Sequence, residues 1–168
     1  MPVFPLSGAL LLPRGHLPLN IFEPRYLNMI ADALGQDRMI GMVQPRPDGR
    51  NTYHMDPDNP PVFQTGCAGR ITAFSETDDG RFLITLTGVC RFNIIEELPM
   101  QSGGYRAVLG DFAPWKDDLL LPSPDLQPVN RDRLRQALEC YFAQHSLRSC
   151  WDTLADSDDE MLITTISM

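Results

Sequence analysis

One lysine, Lys116, stands in a chain of 168 residues, and the 14 Lys and Arg residues are outnumbered by 22 Asp and Glu. The formal net charge of −8 removes any general attraction to phosphate backbones or anionic membranes, which needs clustered basic side chains. The two dense acidic runs, Asp78-Asp79 and residues 156–160, read as solvated surface. Cysteine is scarce and unpatterned: Cys67, Cys90, Cys140 and Cys150 contain no C-x-x-C pair and match neither a zinc spacing nor a secreted disulfide framework. Reduced, buried thiols are therefore expected, and no metal. The three histidines, His16, His54 and His145, are far apart, and neither an H-E-x-x-H helix nor a G-x-S-x-G elbow occurs. Without a G-x-x-x-x-G-K-S/T loop there is nothing to cradle the phosphates of ATP. No catalytic residue and no cofactor is expected. A Cys–His pair formed through space, such as Cys67 or Cys90 with His16, is the alternative to reading both cysteines as inert core residues. Long hydrophobic runs are missing too: residues 9–12 are apolar but end at Pro13, and no basic stretch precedes them. Neither a membrane span nor a signal peptide fits, so a cytosolic location is expected.

What is present is an ordinary globular composition, 43% hydrophobic and 21% charged, at a length that buries roughly 70% of the unfolded surface. The pattern divides near Trp115 into a strand-rich first two-thirds and a helical remainder. Residues 39–44, 63–74, 81–87, 89–96 and 105–112 are short runs rich in Val, Ile, Phe and Thr, separated by Gly, Pro and Asp, and predict strands. Thr77-Asp78-Asp79-Gly80 carries the Asp-Gly pair of a tight hairpin, which pairs 71–75 with 81–87. Gly88 interrupts a continuous strand pattern and predicts a bulge or a sharp corner, so the sheet is expected to close or nearly close into a barrel.

Pro24 suits a first helical turn and Gly35 the position after a last one, with Leu27, Ile30, Ala31 and Leu34 at the spacing of one helix face. Glu23 is a poor cap by residue type, although its charge favours a helix N-terminus. Residues 46–61, which hold His54, read as a long loop and a weaker candidate for binding. After Trp115 the prolines mark a linker whose three leucines are unusual for exposed chain. Beyond it, Leu134, Ala137, Leu138, Tyr141 and Phe142 make a stripe opening after Asn130, and Ser157 with Glu160 gives a capping box for a last helix. That helix has no stop signal at Met168, so the chain is expected to continue.

Five separated elements carry a family resemblance: Phe4-Pro5-Leu6; Leu17-Pro18-Leu19; Ile21-Phe22-Glu23-Pro24-Arg25-Tyr26; Gly66-Cys67 with Gly69-Arg70-Ile71; and residues 86–92 with Gly88 and Arg91-Phe92. In this order they resemble the N-terminal domain of Lon proteases, as a stand-alone bacterial member. The resemblance implies an α+β fold, a PUA-like pseudo-β-barrel with one inserted helix over residues 1–114, a linker at 115–129 and a small helical subdomain at 130–168. Most signature residues are expected to build that fold, with Phe22 and Tyr26 as core anchors, Glu23 and Arg25 as a local ion pair, and Gly66, Gly69 and Gly88 where other residues would strain.

The role the resemblance implies is a non-catalytic module that binds unfolded or tagged polypeptide. Lon's ATPase motif is missing, and Lys116 lies in Ala113-Pro114-Trp115-Lys116-Asp117, unlike the family's Ser–Lys protease dyad. The expected partners are extended polypeptide and, as a second candidate, an ATP-dependent protease, with membranes and nucleic acid disfavoured. Trp115, Leu119, Leu120 and Leu121 are the candidate contact residues, weighed against a purely structural docking of the linker. The alternatives are an RNA-binding protein, because PUA-like barrels elsewhere hold RNA, and a small hydrolase with an unrecognised site.

Overall fold

The structure is a computed structural model that describes residues 1–46, 59–120, 128–145 and 158–168. His54, most of the expected 46–61 loop, Leu121 and Ser157 lie outside the described residues. The chain forms two compact units, Met1–Leu120 with the terminal Met168, and Leu121–Ser167.

The first unit contains β1 (Val3–Pro5), β2 (His16–Ile21), α1 (Pro24–Leu34), β3 (Met39–Val43), β4 (Thr65–Glu76), β5 (Phe82–Glu97), β6 (Val108–Asp111) and a 3-10 helix at Ala113–Leu119. Strand order is β1-β3-β4-β5-β2, with β6 also on β5 and, among the described residues, only β1–β3 parallel. β4 and β5 form the expected hairpin, in the register Ser75↔Leu83 and Ile71↔Leu86, and Gly80 takes φ 77° in the turn. The two runs expected at 81–87 and 89–96 are one strand of 16 residues. Beside Gly88 the pairing passes from Gly69↔Gly88 to Ala68↔Cys90, a bulge. Before it β5 ladders with β2, after it with β6.

The expected pseudo-barrel is looser than a barrel, because the sheet does not close. β1 and β6 meet only at an isolated bridge, Pro2↔Ala107, flanked by bonds from Val3 N to Arg106 O and Val108 N to Met1 O. The α+β class itself stands.

α1 starts at Pro24 as expected, and Glu23 makes no side-chain cap bond. Its buried face is rotated from the expected stripe: Tyr26, Met29, Ile30 and Ala33 are buried, whereas Ala31 is exposed. Tyr26 has a large apolar ring, its centroid 4.2 Å from that of Phe4 and the planes tilted by 39°, and this draws the helix toward its own side. Each such large side chain contributes about 2 kcal/mol by burial. Phe22, the other expected anchor, is 62% exposed. It follows the last β2 residue and precedes the helix, so neither element turns it inward. Glu23 and Arg25 do pair, Nε to Oε2 at 3.0 Å.

In the second unit α2 (Arg131–Gln144) is capped by Asn130, whose side chain accepts from Arg133 N at 3.0 Å. Arg131 pairs with Asp159 at the start of α3 (Asp159–Ser167), and the Asp158 carboxylate accepts from Met161 N. No residue of α2 is buried, although its stripe predicts an apolar face.

Candidate functional site

The 3-10 helix is fixed to the second half of β5 by one charged clamp. Arg91 donates from Nε to Asp118 Oδ2 at 2.9 Å and from Nη2 to Oδ1 at 2.6 Å, and its backbone N–H reaches Oδ2 at 3.0 Å. A two-pronged pair of this kind fixes orientation as well as distance. The guanidinium also lies 4.0 Å over the Trp115 ring, while Trp115 Nε1 donates to Asn93 Oδ1 at 3.3 Å. Trp115 is thereby half-buried. Cys90 Sγ lies 3.2 Å from the Trp115 carbonyl. From β2's approach, Arg14 sends Nη1 to the carbonyls of Asp118 (2.9 Å) and Leu120 (3.3 Å). Arg14 holds φ 64°, a conformation non-glycine residues rarely adopt, with its N–H on Gly88 O.

The Arg91 hydrogen bonds, first among the causes, hold the Asp118 carboxyl below its ordinary value. The same contact raises Arg91. Both groups stay charged over the physiological range.

Leu119 and Leu120 emerge from this clamp 62% and 63% exposed. Ordered backbone carrying two solvent-facing leucines presents apolar surface at little entropic cost to a partner. Of the four candidate residues, then, Trp115 serves the clamp, Leu119 and Leu120 face water, and Leu121 lies outside the described residues.

Arg91 also lines a cavity of about 90 Å³, with Leu10, Leu12, Met42, Gly66 and Cys67. Gln44 donates its side-chain amide to the Ala9 carbonyl there, tying the 9–12 segment to the sheet. Small-molecule sites run from about 300 Å³ upward, so this one suits an apolar side chain instead. Burial pushes the Cys67 thiol up to about 12, away from the thiolate a nucleophile needs. Cys90 is shifted the same way by burial. His16 bonds to Thr87 and joins neither cysteine.

Arg14, Arg91 and Asp118 were not distinguished as site residues by the sequence. Nothing in the spacing joins Asp118 to Arg91, and the acid beside three leucines reads as ordinary linker polarity.

A family model for the ATP-dependent protease La (LON) substrate-binding domain matches residues 1–157. Lon protease 2 of Myxococcus xanthus is 26% identical over 96 residues, which are 57% of this chain and 11% of that protein. The Lon protease of Parabacteroides distasonis is 30% identical over 120 residues, 70% of this chain and 14% of that one. The chain thus spans little more than a tenth of the length of these curated relatives. Among solved structures, a Lon N-terminal domain protein from Xanthomonas campestris aligns with TM-score 0.54 at 20% identity, covering 99% of this chain and 96% of the other. The N-terminal domain of the Mycobacterium avium complex Lon protease gives 0.55 at 14%, over 98% and 79%.

Proposed function

The chain belongs to the Lon substrate-binding domain family, and on that premise we propose that it is a recognition module for unfolded or tagged polypeptide that does no chemistry of its own. The carrying observation is the clamped 3-10 helix that presents Leu119 and Leu120 to solvent. Contacts of this kind favour apolar residues without a strict sequence, as a binder of unfolded chains requires. The small cavity beside Arg91 takes one side chain of the same segment. A separate ATP-dependent protease is the partner to which captured chains pass.

The test is fluorescence anisotropy with an array of unstructured peptides and a structured RNA as control. The double variant Leu119→Asp, Leu120→Asp is expected to bind peptides at least about tenfold more weakly, a change of about 1.4 kcal/mol. Its urea midpoint should match that of the parent, since both side chains face water. Equal peptide binding by parent and variant would remove the site from this face, and RNA binding without peptide binding would overturn the function.

A further inference from the structure

A second constellation lies on the solvent face of β4, β5 and β2. Arg70 pairs with Thr87, and Thr87 with His16, so the three side chains form one row across three strands. Arg70 and His16 are exposed. An irregularity between Ile71 and Ala73 sets Thr72 beside the row. The Thr72 hydroxyl donates to the Thr85 carbonyl at 3.3 Å and lies 3.0 Å from Thr87 Oγ1. Thr87 Oγ1 bridges Thr72 Oγ1 and His16 Nδ1, each at 3.0 Å. Nδ1 is thus occupied by Thr87, and Nε2 is the ring nitrogen that faces a ligand and donates to it when it carries the proton. Among the described residues the Arg70 side chain has no ion pair or hydrogen-bond partner.

The same face continues through two further rows, Ala73–Thr85–Pro18 and Ser75–Leu83–Asn20, without a charge. These six residues line a groove of about 480 Å³, in which Leu83 is 45% exposed. An occupant that complements this face is neutral along its length and negative at one end.

We propose that this face binds the carboxy-terminal end of an extended polypeptide, its terminal carboxylate held over Thr87 between Arg70 and His16 and its uncharged tail in the groove. The proposal rests on the recognition-module reading and names its substrate class. Arg70 and His16 stand two strands apart, about 10 Å, so a guanidinium from one side and an imidazole from the other close on an oxyanion between them. From Thr87 back to Leu83 is about 13 Å along the strand. An apolar side chain four residues before the carboxylate then lies against Leu83. Pro18, on an edge strand, has no N–H to offer, so specificity comes from the carboxylate and the side chain rather than from continuous strand addition.

The experiment uses the whole chain and three labelled ten-residue probes: an uncharged peptide with leucine four residues before a free carboxylate, the same peptide amidated, and the amide with a penultimate glutamate. The free acid is expected to bind at least about tenfold tighter than either amide. Arg70→Gln should abolish that difference while leaving the amide's affinity unchanged. Arg81→Gln, a residue ion-paired to Asp79 at the hairpin tip, should leave the difference intact. Circular dichroism with a urea midpoint checks that both variants fold. Equal binding of acid and amide overturns this inference while the recognition module stands. A glutamate amide as tight as the free acid overturns the terminal specificity. No binding of any probe overturns both readings, and Arg70-dependent capture of a structured RNA in their place reassigns the row to phosphate.

Discussion

Phe22 and Tyr26 stand four residues apart in one short motif and have opposite fates. Tyr26 is buried against Phe4, whereas Phe22 is 62% exposed. Tyr26→Ala is accordingly expected to cost about 3 kcal/mol in urea denaturation, and Phe22→Ser no more than about 0.5 kcal/mol. Phe22→Ser is the variant to carry alongside the leucines in peptide binding. Asp118 offers a second test, in pH. Its folded-state carboxyl lies below the unfolded value of 3.8, first because of Arg91. Stabilisation by the clamp is therefore complete above the unfolded value and disappears as pH falls through the folded one. Asp118→Ala should cost about 1–2 kcal/mol at pH 7, and the gap between parent and variant should narrow below pH of about 3.8. Arg91 is 41% exposed, and solvent screening places the effect toward the lower end.

β5 decides the architecture at the level of elements. It runs 16 residues, exchanges β2 for β6 as a partner midway, and can do so because of the bend at Gly88. An added Cβ there would lie 1.9 Å from the Leu12 carbonyl oxygen, a backbone atom with no rotamer to escape into. Gly88→Ala is thus expected to destabilise the first unit by at least about 2 kcal/mol, read by thermal or urea unfolding. Because Arg14 N bonds to Gly88 O and Arg14 reaches Asp118 and Leu120, the same variant should also loosen the 3-10 helix and weaken peptide binding. The corner was legible in the sequence, as a glycine inside a strand pattern. Its purpose was not, since the approach of Leu12 is a contact 76 positions away along the chain.

At the scale of the whole molecule, the net charge of −8 separates the possible partners. A neutral tail with one terminal carboxylate should lose less than about threefold in affinity between 50 and 200 mM salt, whereas a ligand gripped through many phosphates would lose about a thousandfold or more. Titration of the free-acid peptide at the two salts measures this directly. Among the described residues no helix is long and apolar enough to cross a membrane. The sequence by itself pointed to the family through the resemblance of five separated motifs, and it determined the hairpin at Asp79-Gly80, the helix start at Pro24 and the corner at Gly88, because each of these is fixed by local chemistry: turn residues, missing N–H groups and periodicity. It also drew attention to Leu119 and Leu120 as apolar residues in a proline-marked segment. Only the tertiary structure decided which face α1 buries, that the sheet stays open, that Phe22 points to water, and that Arg91 with Asp118 and Arg70 with Thr87 and His16 come together. Those outcomes depend on strand register and on contacts between residues distant in sequence, which no local pattern encodes.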